Sequence, residues 1–190
     1  MAGIIEIAEN GFWKNRQSPD DSLRYTANLF DEIGGKIIVE IGTGIHGDMS
    51  GNSVMIWSKN TKAEKIYCLD LESKHIEDVQ KATKDYPSVI AIQENGIDFL
   101  KRTNPGIDLL YLDFWVHDKK GDLTGIARAN AYLEAYHAAK SKLSATSLIL
   151  IDDTDHVDPW KQSLIVPEAR KDGFTVLYCG RQTLMMKSED

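Results

Sequence analysis

Cysteine is scarce in this chain: Cys68 and Cys179 are the only two among 190 residues. A pair cannot build the disulfide framework of a small secreted domain, and both lie inside apolar runs, where they read as core-facing thiols. Long apolar stretches are also missing. No run approaches the roughly 20 residues of a bilayer-spanning helix, and no basic-then-apolar leader opens the sequence. A cytoplasmic enzyme or binding protein, away from membranes, is the expectation. Nor is there any excess of positive charge. The formal net charge is −7, with acids and bases interspersed, which argues against general affinity for a nucleic-acid backbone. Internal repeats, low-complexity tracts and interdomain linkers are absent, so residues 1–190 are expected to form a single domain with a real core.

What the chain does have is a hydrophobic fraction of 42% and a charged fraction of 27%, as in ordinary globular proteins. Short apolar runs alternate with longer helical patterns. "KIIVEIG" (36–42), "KIYCLDL" (65–71), "SVIAIQ" (88–93), "IDLLYLDF" (107–114) and "SLILIDD" (147–153) read as strands. They are apolar nearly throughout, the pattern of parallel strands covered by helices on both faces. Helices are expected near 19–33, 50–60, 73–84, 96–103, 123–143 and 157–172, with Pro167 kinking or splitting the last. "FTVLYCG" and "RQTLMMK" abut at Gly180 and Arg181, which permits an antiparallel hairpin and no crossover helix. The expected fold is therefore α/β, a doubly wound sheet closed by a C-terminal hairpin. Residues 1–17 read as an N-terminal extension or a lid.

Gly42, Gly44 and Gly47 fit G-x-G-x-x-G directly after the first strand, where glycine permits a tight turn and close approach of a ligand. The second strand ends in Asp70, whose carboxylate suits the two hydroxyls of a ribose. It lies 28 residues after Gly42, farther than the about 20 usual in dinucleotide-binding chains. The third strand runs into Asn95 and Gly96, which suit an adenine edge. The plainer alternative, a simple glycine turn with Asp70 capping a helix, stays open for each motif taken singly. The fourth and fifth strands end in Asp113 and in Asp152–Asp153. Three carboxylates at neighbouring strand ends repel unless neutralised, and a hard divalent cation takes oxygen ligands readily. Because neighbouring strand residues point to opposite faces, the last pair converges only if the chain turns there. Capping or solvation of these acids is the competing reading.

The set "VEIGTG", "IYCLD", "IQENGIDFL", "IDLLYLD" and "LILIDD" with a closing hairpin resembles the class I S-adenosylmethionine-dependent methyltransferases over about residues 20 to 187. The resemblance implies a Rossmann-like seven-stranded sheet whose last strand is antiparallel. It also implies that Glu40, Gly42 and Gly44 surround the methionine part of S-adenosylmethionine and that Ser53 meets its carboxylate. Asp70 would hold the ribose, Asn95 with Gly96 the adenine, and Asp113 would border the cofactor. "LDFW" and "IDDTDH" resemble the metal-dependent O-methyltransferases, of catechol and macrocin type. That implies Asp113, Asp152 and Asp153 as ligands of a divalent cation, Mg2+ foremost, and a small hydroxylated acceptor. Where the catechol enzyme carries a basic lysine, this chain has Val116, so His117 becomes the candidate base beside Asp113; a surface histidine is the alternative. His156 is a further candidate for metal or substrate, and His46 has no assignable role. "LIVPEARKDGFTVLYCGRQTLMM" resembles the C-terminal segment of a bacterial and phage branch of methyltransferase-like proteins.

Tyr132 and Tyr136 share one helical face, better explained by packing on the sheet than by a dimer interface, although a homo-oligomer stays open. Trp13, Trp115 and Trp160 are core or acceptor-pocket residues, Trp115 the best placed. The rival functions are a metal-independent or N-directed methyltransferase of the same fold, an NAD-dependent oxidoreductase, and a non-catalytic cofactor-binding protein.

Overall fold

Strands that are apolar on both faces need cover on both, and the helices of this chain supply it. The structure is a computed structural model that describes residues 19–45, 52–104, 106–115, 117–118, 121–122, 125–156 and 159–187. In chain order the elements are α1 (Pro19–Glu32), β1 (Ile37–Ile41), α2 (Ser53–Asn60), β2 (Lys65–Asp70), α3 (Ser73–Ala82), β3 (Val89–Gln93), α4 (Gly96–Arg102) and β4 (Ile107–Leu112). A short ribbon follows, β5 (His117–Asp118) and β6 (Gly121–Asp122), then α5 (Gly125–Ala139), a single 3-10 turn (Lys140–Lys142), β7 (Leu143–Ile151), α6 (Gln162–Lys171), β8 (Phe174–Cys179) and β9 (Thr183–Lys187).

Seven strands form one sheet in the order β3-β2-β1-β4-β7-β9-β8. All neighbours from β3 to β7 pair in parallel, and β9 runs antiparallel to both β7 and β8. The chain winds outward from β1 through β2 to β3 and then returns to β4 on the other side of β1. Such a reversal opens a crevice above the carboxyl ends of β1 and β4.

Strand parity divides the core in two. Val39, Ile41, Leu110 and Leu112 pack with Phe99 of α4, Tyr132 of α5 and Ile165 of α6. Ile38, Leu109 and Tyr111 face the other way, against Leu23 and Phe30 of α1, Trp57 of α2 and Val79 of α3. Each large apolar side chain sealed in this way contributes about 1.5–3 kcal/mol. Tyr132 and Tyr136 are both fully buried. Their hydroxyls donate to Phe114 O at 2.8 Å and Asp172 Oδ2 at 2.6 Å, so packing accounts for them.

Four details depart from the sequence reading. Strand β7 starts at Leu143 rather than 147, because Leu143 pairs with Ile107 before a register shift; the polar "SAT" hides that extension. Pro167 sits inside α6 without splitting it. Cys68 is buried but Cys179, on the outer strand β8, is exposed. The ribbon β5–β6 was not anticipated. Residues 1–17, His46, Gly47 and Trp13 lie outside the described residues. No helix among the described residues is long and apolar enough to cross a membrane.

The turn after β1 is built on Gly42, with φ +88° and its N–H donating to Leu69 O at 2.9 Å. A Cβ there would stand 2.2 Å from Asp113 O. The glycine thus lets the rims of β1 and β4 close on each other, a packing demand that exists before any ligand arrives. Gly42→Ala is expected to destabilise the protein by roughly 2 kcal/mol or more, read as a lowered urea midpoint; an unchanged midpoint would contradict this.

Candidate active site

Above the rims of β1, β2, β3 and β4 lies a cavity of about 370 Å³, within the size range of small-molecule sites. Gly42, Thr43 and Gly44 floor it, Asp70 to Glu72 and His75 form one side, Glu94 to Ile97 another, and Asp113, Phe114 and Trp115 a third. Four of these residues are acidic and none is lysine or arginine. Asp70 Oδ1 accepts the N–H of Glu72 at 2.8 Å and lies 3.3 Å from His75 Nδ1. Asn95 is the N-cap of α4, its Oδ1 accepting from Ile97 N and Asp98 N at 2.9 and 3.2 Å. Its amide NH2 is not used in that cap. Gly96 is small because a Cβ would come within 2.3 Å of Ile41.

Glu40 and Ser53 do not join this cavity. Glu40 shares the parity of Ile38 and so turns toward α2. There Ser53 Oγ and Trp57 Nε1 donate to its two carboxylate oxygens, each at 2.8 Å. Glu40 is fully buried, and that burial pushes its carboxyl up to about 7, against the hydrogen bonds it accepts. Ser53, expected to meet a cofactor carboxylate, gives its hydroxyl proton to Glu40. Trp57, which the sequence reading passed over, is the third member of the group.

On the far side of Asp113 the three expected aspartates do converge. Asp113, Asp152 and Asp153 each offer an oxygen within 4.8 Å of the others. The required turn is made by Asp153 itself, at φ +53°, a left-handed conformation that aspartate tolerates better than most residues. The carboxylates do not stand alone. Lys161, just before α6 and fully buried, reaches Asp113 Oδ1 at 3.1 Å and Asp153 Oδ2 at 3.2 Å. Arg181, in the β8–β9 turn, lies 2.6 Å from Asp153 Oδ1 and 3.8 Å from Asp152 Oδ2. Gln182 Nε2 donates to Asp152 Oδ1 at 2.6 Å and to the Tyr111 hydroxyl at 3.3 Å, while Ser22 Oγ donates to its Oε1. Three acids thus face two cations. The residual negative charge is eased at Asp113, whose carboxyl burial, and then Asp152, hold well above the ordinary range.

Two hydrogen bonds fix this arrangement, Thr154 N–H to Arg181 O at 2.8 Å and Thr154 Oγ1 to Gly180 O at 2.7 Å. Trp115 is half-exposed over the cavity, its ring 4.1 Å from the Arg128 guanidinium, which also stacks at 4.5 Å on Trp160. His156 is exposed and leans on Trp160. The side chain of His117 lies outside the described residues. Lys161, Arg181, Trp57 and Arg128 were not foreseen. Gln182 stood in the quoted C-terminal segment but without a role.

A scan against protein-family models and a search of curated proteins each find no match. Solved structures, however, align over most of the chain. An O-methyltransferase from Bacillus cereus in complex with SAH superposes with TM-score 0.61 at 14% identity, covering 97% of this chain and 88% of that one. The SAH-bound Podospora anserina methyltransferase PaMTH1 gives 0.60 at 20% identity, covering 100% and 89%. An rRNA methylase from Streptococcus thermophilus gives 0.58 at 14%, covering 87% and 95%. The fold is that of the class I S-adenosylmethionine-dependent methyltransferases. Counted along the main sheet alone, its strand order is 3-2-1-4-5-7-6 with the hairpin strand antiparallel. In this methyltransferase fold the cavity and the acid cluster share one rim, and Asp113 belongs to both.

The buried Glu40 makes stability depend on pH. Its folded-state carboxyl titrates at about 7 against an ordinary 4.5, so the native chain holds this proton more tightly than the unfolded one. Stability from this group is full below about pH 4.5 and falls as pH climbs to about 7, by about 3 kcal/mol in all. Urea unfolding at pH 5 and pH 8 is expected to show Glu40→Gln losing less stability than wild type across that interval. Equal losses in the two proteins would contradict the assignment.

Proposed function

We propose that the chain is an S-adenosylmethionine-dependent methyltransferase acting on a small hydroxylated acceptor. The observation that carries this is the cavity's charge. A pocket at the strand rim lined by Asp70, Glu72, Glu94 and Asp113, with His75 but no lysine or arginine, favours a cationic nucleoside and repels a pyrophosphate. That counts against the NAD reading, which shares the glycine turn. SAH in the B. cereus and P. anserina structures supports the same ligand here. The rRNA methylase likeness is not favoured, since the net charge of −7 opposes an RNA backbone.

When bound, the cofactor supplies an electrophilic methyl group on a sulfonium. The task of the protein is alignment, holding acceptor oxygen and methyl carbon at attack distance and excluding water. Asp70 is suited to accept the ribose hydroxyls, and the Asn95 amide NH2 to meet the adenine edge. Gly42 and Gly44 leave room for the methionine part. Phe114 and Trp115 wall the acceptor side, Trp115 steadied by Arg128. Asp113 orients the acceptor hydroxyl, and His117, next along the chain after Val116, is our candidate for taking its proton. The divalent cation implied by the resemblance of "LDFW" and "IDDTDH" to the metal-dependent O-methyltransferases does not fit the carboxylates as they stand, since side-chain cations already occupy both oxygens of Asp153 and one of Asp113. No step is assigned to it.

Calorimetric titration should show S-adenosylhomocysteine binding and no heat with NAD. Asp70→Ala should weaken the former by roughly 10- to 100-fold, the worth of hydrogen bonds to a charged group, with the melting temperature retained. Equal affinity in the variant, or binding of NAD alone, would contradict the proposal.

A further inference from the structure

The acids at the rim have the spacing of a metal site, and their surroundings have the makeup of something else. We propose that Lys161 and Arg181 are built-in counter-ions that stand in the place of a divalent cation, so that the Asp113–Asp152–Asp153 group of this chain neither needs nor binds a metal. This deepens the methyltransferase reading, on which its catalytic meaning rests, although the metal chemistry itself can be tested without the cofactor.

Geometry is the first argument. The Lys161 ammonium lies between Asp113 Oδ1 and Asp153 Oδ2, at 3.1 and 3.2 Å, in the bridging position that a shared cation would take. Arg181 engages the other oxygen of Asp153 at 2.6 Å, and Gln182 one oxygen of Asp152 at 2.6 Å. Magnesium bonds oxygen at about 2.0–2.1 Å in a near-octahedral shell, and calcium takes six to eight oxygens at about 2.3–2.6 Å. To ligate either ion, the oxygens of Asp153 and one oxygen each of Asp113 and Asp152 would have to give up or share their present bonds to nitrogen. Any ion that did so would sit beside a unit positive charge with little water to screen it.

Burial is the second. An exposed lysine could swing aside for an incoming ion. The Lys161 side chain has no exposed surface, and its ammonium is walled by the rings of Trp115 and Tyr132, whose centroids are 5.6 and 5.5 Å away. Trp115 is stacked on Arg128, and Tyr132 lies flat on Phe114 at 4.3 Å. Moving the ammonium out means dismantling the acceptor wall. Charge is the third argument. Two cations leave the three acids with one excess negative charge at most, where an unaccompanied triad would carry three.

Lys161 is therefore a positioning residue. It is fully buried and works through Asp113, fixing Oδ1 at 3.1 Å while Oδ2 faces the Tyr111 hydroxyl at 3.5 Å. An acceptor hydroxyl would be oriented by a carboxylate rather than by a Lewis acid.

The test is Mn2+ binding, followed by loss of the free-ion electron paramagnetic signal after dialysis against a chelator. Wild type should bind with Kd above about 1 mM, and its affinity for S-adenosylhomocysteine should be the same with and without chelator. Lys161→Met keeps the length and removes the charge; it should gain a Mn2+ site at least roughly tenfold tighter, lost again when Asp153→Asn is added. Sub-millimolar binding by wild type that Asp153→Asn abolishes would overturn the proposal. So would a Lys161→Met protein that keeps its melting transition and binds no better than wild type. Should that variant fail to fold, the two wild-type measurements decide alone. Failure to bind S-adenosylhomocysteine would sink the methyltransferase reading and leave the Mn2+ result standing.

Discussion

Three carboxylates cannot share a few ångströms of half-buried space without positive charge among them, and the upper half of this molecule is organised around meeting that demand. Asp113 directly follows β4 and Asp152 directly follows β7, strands that are neighbours in the sheet with Leu112 paired to Ile151, so the acids are forced together by register. One cation comes from the lead-in to α6 and the other from the β8–β9 turn, which Thr154 ties to the acidic loop. Removing one partner of such a buried set leaves uncompensated charge, at a cost of about 3–5 kcal/mol. The terminal hairpin is thereby more than a way of closing the sheet. It delivers Arg181 and Gln182 to the site.

Asp113 stands at the border between two regions of different character. On one side is the cavity, acidic and free of lysine and arginine, suited to a cationic nucleoside. On the other is the neutralised cluster. Beneath both, Gly42 lets the β1 rim approach the Asp113 carbonyl, and Glu40 locks β1 to α2 through Ser53 and Trp57. The acid in the "VEIGTG" strand thus organises the rim from below, as an anchor for the helix that follows the loop.

Much of this was legible in the sequence because the signals were local. Five uniformly apolar runs meant a parallel sheet covered on both faces, and a gap too short for a helix meant a hairpin. The acids at strand ends fell where the runs stopped. Strand parity was also readable, and applied to Glu40 it would have turned that residue away from the crevice with Ile38. What could not be read was the pairing of charges. Lys161 and Arg181 are single cations with no spacing that marks them, and each acquires a partner only through tertiary closure. Cys179 read as core because its run is apolar, but β8 is the outermost strand, where one face meets solvent. Pro167 read as a kink or a split, and α6 runs through it unsplit.

A crystal structure of the protein grown with S-adenosylhomocysteine and a manganese salt tests the whole account most directly. It should show the ribose against Asp70, with Lys161 Nζ still between Asp113 and Asp153 and no anomalous peak among the acids. A manganese peak bound by all three aspartates with Lys161 displaced, or a nucleoside seated away from Asp70, would contradict it.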